Sequence, residues 1–191
     1  MSEATFYLVK ALLDVFTIGI ILNFYFRLLR ADYYNPIVQG IIRAVDYPSQ
    51  VLRSLIKPMW GLDISTLIVA ILVQSSAFFI AVTAGAIEYN PLNILLWSIY
   101  SVFLLIFKIA WWIMLAGIVL SWIATTNMHP AIVLIRQLSD QIFRPFRVFL
   151  PPMGGLDFSP ILAFIVLNFL QIAFSQYAIE SGLPRWLSVG F

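Results

Sequence analysis

Four long apolar runs alternate with two shorter segments in which apolar and polar positions recur at helical spacing. The long runs cover Thr5 to Leu29, Ser65 to Ala86, Leu92 to Ala124 and Ser159 to Ile179. About 20 apolar residues cross a bilayer, so each run predicts a spanning helix. The third is longer than the hydrocarbon core requires, which implies a tilt or a first turn in the interface. In the first short segment Ile37, Val38, Ile41, Ile42 and Val45, then Val51, Leu52, Leu55 and Ile56, fall opposite Gln39, Arg43, Asp46, Gln50 and Arg53. In the second, Ile132, Ile135, Leu138, Ile142, Phe143, Phe146 and Phe149 oppose Arg136, Asp140, Arg144 and Arg147. Both carry too much charge to span and predict amphipathic helices lying in the membrane interface. Asn35-Pro36 and His129-Pro130 mark their starts. Pro48 and Pro145 are expected to break or kink them, because the ring removes a donor and crowds the preceding turn.

The pattern occurs twice. Sliding the chain by 94 residues puts Pro36 on Pro130, Asp46 on Asp140, Arg53 on Arg147, Gly61 on Gly155, Asp63 on Asp157 and Ser65 on Ser159. A repeat of this length is a duplicated supersecondary unit. The expectation is therefore an all-α membrane protein, one domain over residues 1–191. Its four transmembrane helices would form two parallel repeats, residues 5–86 and 92–179, each a span, a kinked amphipathic interfacial segment and a second span. Gly61, Gly154 and Gly155 would turn the chain from the interface into the bilayer. Asp63 with Ser65, and Asp157 with Ser159, would cap the helices that follow.

Composition strengthens this reading. Of 191 residues 62% are hydrophobic and 10% charged, against about 25% charged in a soluble domain. The net charge is only +2 and the basic residues are dispersed, so no direct nucleic-acid contact is expected. The absence of cysteine excludes thiol chemistry and Cys-ligated metals. Arg30, Arg43, Arg53, Lys57, Arg136, Arg144 and Arg147 all lie between the two spans of one half or the other, and Arg27 closes the far end of the first span. The positive-inside rule then places both amphipathic segments in the cytoplasm and both termini outside, in a multi-pass membrane protein. Halves that point the same way are parallel repeats.

The candidate chemistry is sparse. Asp14 and Lys108 are 94 residues apart and would lie at matched depth, suggesting an intramembrane ion pair. An unpaired charge there costs roughly 2.5–3.5 kcal/mol; the pair reads either as a packing staple or as a proton or ion relay. Asp63 and Asp157 read as caps or as a cation or partner site. Arg43, Arg53, Arg136, Arg144 and Arg147 form a basic face for anionic headgroups of the bilayer or for a protein partner. His129, the only histidine, aligns with Asn35 as a helix start. No nucleophile–base set, phosphate loop or metal-ligand spacing appears, so neither an enzyme nor a cofactor is indicated.

The motif Arg144-Pro145-Phe146-Arg147-Val148-Phe149-Leu150-Pro151-Pro152-Met153-Gly154-Gly155-Leu156-Asp157-Phe158-Ser159-Pro160, with Tyr33-Tyr34-Asn35-Pro36 and Arg53 through Lys57-Pro58, resembles the YggT family of small membrane proteins, also called YlmG. The resemblance covers essentially the whole chain. The first copy departs from the family pattern at Trp60, where glycine is usual, and Thr66, where proline is usual. The resemblance implies a non-enzymatic factor of a bacterial inner membrane, multi-pass, whose two termini would then be periplasmic. Plastid and cyanobacterial members are linked to haem attachment and nucleoid distribution, Gram-positive ones to cell division, and some enterobacterial ones to osmotic or potassium stress. Two functions stand at this point. One is a scaffold or assembly factor working through the amphipathic helices, with a protein partner or a second copy. The other is a small transporter or channel component using Asp14 and Lys108.

Overall fold

The computed structural model describes residues 3–56, 61–123, 129–150 and 157–190. Helices α1 (Glu3–Leu28), α3 (Ile64–Thr83), α4 (Pro91–Trp122) and α6 (Ser159–Glu180) are long and apolar enough to cross a membrane. Helices α2 (Pro36–Arg53) and α5 (Pro130–Phe149) are the amphipathic pair. Of the break or kink expected at Pro48 and Pro145, there is no break: each proline lies inside one continuous helix.

Side-chain caps open α2, α3 and α5. The Asn35 side chain accepts the Ile37 N–H, and His129 accepts the Ala131 N–H, each with proline in the first turn. At α3 the cap is Asp63, which accepts the Thr66 N–H. Ser65 lies inside the first turn, and its hydroxyl instead donates to the Ile56 carbonyl at 3.0 Å. Gly61 has φ +82°, the left-handed conformation that glycine adopts without penalty at such a turn. Gly154 and Gly155 lie outside the described residues.

The spans pack α1 on α3, α3 on α4, and α4 on α6. The Tyr25 hydroxyl donates to the Ile106 carbonyl at 2.8 Å, tying α1 to α4, and Ser75 bonds Ser98 at 2.9 Å between α3 and α4. The apolar faces of α2 and α5 are not simply turned to lipid. Val38, Val45, Leu134 and Leu138 are buried with Ile20, Ile21, Val69, Val102 and Leu105 in one core. Both helices therefore close one end of the bundle. They also meet each other: the Asn35 amide donates to the Pro130 carbonyl at 2.8 Å. Gln137 of α5 clamps the turn before α2, donating to the Arg30 carbonyl at 3.1 Å and accepting the Asp32 N–H at 3.1 Å.

Candidate functional site

Where α2 and α3 meet the end of α1, four charges converge. Arg53 spans two carboxylates, with Nη2 2.6 Å from Asp46 Oδ2 and Nη1 2.8 Å from Asp63 Oδ2. Arg27 of α1 repeats the bridge at 3.0 and 3.5 Å to the same two oxygens. The Asn23 amide donates to Asp46 Oδ1 at 2.7 Å, and the Thr66 hydroxyl to Asp63 Oδ2 at 2.8 Å. The cluster is balanced and sheltered, with side-chain exposures of 3% for Asp63 and 13% for Arg53. Burial alone would raise the Asp46 carboxyl. Hydrogen bonds from Arg53 and Asn23 and the charges of Arg27 and Arg53 outweigh it and hold the group below the usual carboxylate value.

The second half builds the same triad. Arg147 Nη2 is 3.1 Å from Asp140 Oδ1, and its Nε is 2.9 Å from Asp157 Oδ2. Asp157 also accepts the Ser159 N–H at 2.9 Å, so it caps α6 from one position before the N-cap residue, Phe158. Burial again opposes ionisation of Asp157, and the bonds from Ser159 and the charge of Arg147 again prevail and lower it. This triad faces a cavity of about 800 Å³ between α4, α5 and α6.

The five expected surface arginines therefore divide. Arg43 and Arg144 are exposed. Arg53 is turned inward, a correction to its expected place on a basic face, because two carboxylates at bonding distance outweigh hydration of the guanidinium. Arg147 bridges its own pair, and Arg136 lines the cavity while donating to the Leu120 carbonyl at 3.3 Å.

The intramembrane charges lie in separate helix pairs. Asp14 pairs with Lys10, one turn away on α1, and accepts from Gln74 of α3 at 3.2 Å. Gln74 also reaches the Thr17 hydroxyl at 3.4 Å. Lys108 lines a smaller cavity with Asn168 and Gln171 of α6. Nothing in the sequence pattern marked Asn23 or Arg27 as a cluster member. Their only signal was polarity in the last turns of a spanning helix. Among the described residues no group of three or more His, Asp or Glu is placed to hold a metal ion.

The family model described as CCB3/YggT matches the chain at residues 2–84 and again at 96–178, the second range beginning and ending 94 residues after the first. The chain is 32% identical to an uncharacterized protein of Pseudomonas aeruginosa, over 99% of this chain and 98% of that one. It is 29% identical to the uncharacterized protein YggT of Escherichia coli K12, over 95% and 94%. It is 49% identical over 73 residues to the YlmG homolog protein 2, chloroplastic, of Arabidopsis thaliana, covering 38% of this chain and 28% of that one. No solved structure matches.

Proposed function

This chain belongs to the CCB3/YggT family, and from that premise we propose that it is a non-enzymatic scaffold or assembly factor of a bacterial inner membrane, working through α2 and α5 at the cytoplasmic face. Its unit is a parallel repeat of span, amphipathic helix and span. The twofold match at a constant offset and the matching Asp–Arg–Asp triads support that reading. Orientation rests on the arginines gathered at the α2 and α5 end.

The observation that carries the proposal is mechanical. Each amphipathic helix is fastened to the start of the next span by an arginine bridging two carboxylates, and the two helices are fastened to each other through Asn35. A pair of helices held this way is a fixed surface rather than a mobile lid. Arg43 and Arg144 project from it, and exposed Tyr47, Val51, Val148 and Phe149 offer apolar contact to acyl chains or to a partner. A photo-crosslinker at position 141 in native membranes tests this. A discrete protein adduct, lost on Arg43→Gln with Arg144→Gln, is expected; labelling of lipid alone would overturn the partner role.

One observation favours the second reading. Lys10, Asp14, Gln74 and Thr17 form a polar chain between α1 and α3. Ion flux in proteoliposomes that is abolished by Asp14→Asn would replace the scaffold with a transport function.

A further inference from the structure

The two triads differ in what surrounds them. In the first half, Asn23 and Arg27 of α1 complete the cluster. The residues 94 positions later on α4 are Gly117 and Ser121. Gly117 has no side chain to offer, and a Cβ there would lie 2.3 Å from the Ser139 hydroxyl. Ser121 is too short to reach, and its hydroxyl donates to the Ile118 carbonyl at 2.7 Å. Thr66, which gives Asp63 two donors, is matched by Pro160, which has none.

The consequence is measurable. Asp140 is 66% exposed where Asp46 is 15%, and Asp157 is 31% exposed where Asp63 is 3%. The space left by the missing guanidinium and carboxamide is the cavity of about 800 Å³, a volume suited to a small-molecule-sized group. Gly117 and Ser121 themselves line it, together with Asp140 and Asp157. Arg136 and Arg147 bring positive charge to the same walls, and Trp122 and Ile161 add apolar surface at the ends of two spanning helices.

We propose that this cavity binds the head of a zwitterionic, amine-bearing phospholipid of the ethanolamine type. Its ammonium takes the place between Asp140 and Asp157 that the Arg27 guanidinium fills in the first half. Its phosphate meets Arg136, and its upper acyl region lies against Trp122 and Ile161. The first half is the template for the cation: there the chain itself supplies a planar cation to the corresponding carboxylates, Asp46 and Asp63, and an amide to Asp46. The neighbouring opposite charges favour a zwitterion over an anionic lipid, and an N–H-bearing ammonium over a trimethylated one, which cannot donate. The inference rests on the proposed placement of α5 at the membrane face but not on any protein partner, so its failure would leave the scaffold reading intact.

The test is lipid retention by the purified full chain, read by native mass spectrometry from nanodiscs of equal parts phosphatidylethanolamine, phosphatidylcholine and phosphatidylglycerol. The expected result is selective retention of phosphatidylethanolamine. Ser121→Arg, which restores the first-half arrangement, should reduce that retention about tenfold, the effect of removing a charged hydrogen-bonding site. Asp140→Asn, at a position whose side chain is 66% exposed, should weaken it in the same direction. Glu88→Gln, exposed on the α3–α4 turn and outside the cavity, should leave it unchanged. Equal retention of the three lipids, or undiminished phosphatidylethanolamine in both cavity variants, would overturn the proposal. So would a site that takes up only a basic peptide and no lipid.

Discussion

Arg53 and Arg147 stand at the same point of the sequence pattern, yet they contribute unequally. Arg53 bridges two sheltered carboxylates that Arg27 also touches, whereas Arg147 bridges two that face an open cavity. Arg53→Ala strands buried charge and should cost about 3–5 kcal/mol. Arg147→Ala should cost no more than about 1 kcal/mol, since water screens the pair. Denaturant titration of the two variants in one detergent measures the difference; equal losses would contradict it. The acid limb follows from the same residues. Asp46 and Asp157 ionise more readily in the fold than in the unfolded chain. Their contribution is complete above the ordinary carboxylate value, about 4, and is lost as pH falls through the lowered folded values. Melting temperature should hold from neutral pH to about pH 5 and fall below about pH 4, more shallowly in Asp46→Asn. The 94-residue register brought these six residues into correspondence, but it could not say that each set of three meets, because that depends on how α2 and α5 fold back. The same limit governs Asp14 and Lys108. Matched depth says nothing about which way a side chain points around its helix, and Lys10, at the i, i+4 spacing that brings helical side chains together, was already in the sequence.

At the scale of elements, the spans and caps were legible because length, hydropathy and capping chemistry are local. What was not legible is that the apolar stripes of α2 and α5 are shared between protein and membrane: burial of Val38, Val45, Leu134 and Leu138 is a tertiary fact. Nor could the spacing tell that helix continues through Pro48 and Pro145. Close approach of α5 to α4 depends on Gly117, where a methyl would run into the Ser139 Oγ and Cβ at 2.3 and 2.4 Å. Gly117→Ala should therefore cost about 1–3 kcal/mol, recovered in part by Ser139→Gly. At the α1–α2 crossing the contact is the tip of Val45, 2.8 Å from a Cβ built on Gly19, so Gly19→Ala should cost less. Asn35 both caps α2 and holds α5; Asn35→Ala should destabilise by about 1–2 kcal/mol, more than His129→Ala at the matching start. Thermal unfolding of these variants in detergent orders them.

For the whole molecule, the proposed function makes α2 and α5 one surface at one membrane face, closed by its own arginine in the first half and left open to a headgroup in the second. That unity depends on both helices lying on the same side of the bilayer, with the α3–α4 turn and the tail on the other. The chain contains no cysteine, so single reporters at exposed positions can be read without background. The most direct measurement is labelling of Arg43→Cys, Arg144→Cys, Tyr89→Cys and Glu180→Cys, all exposed positions, in intact cells and in inverted membranes, using a thiol reagent that does not cross the bilayer. Positions 43 and 144 should label together and only in inverted membranes, and positions 89 and 180 only in intact cells. Labelling of 43 and 144 from opposite sides would contradict the account at its centre.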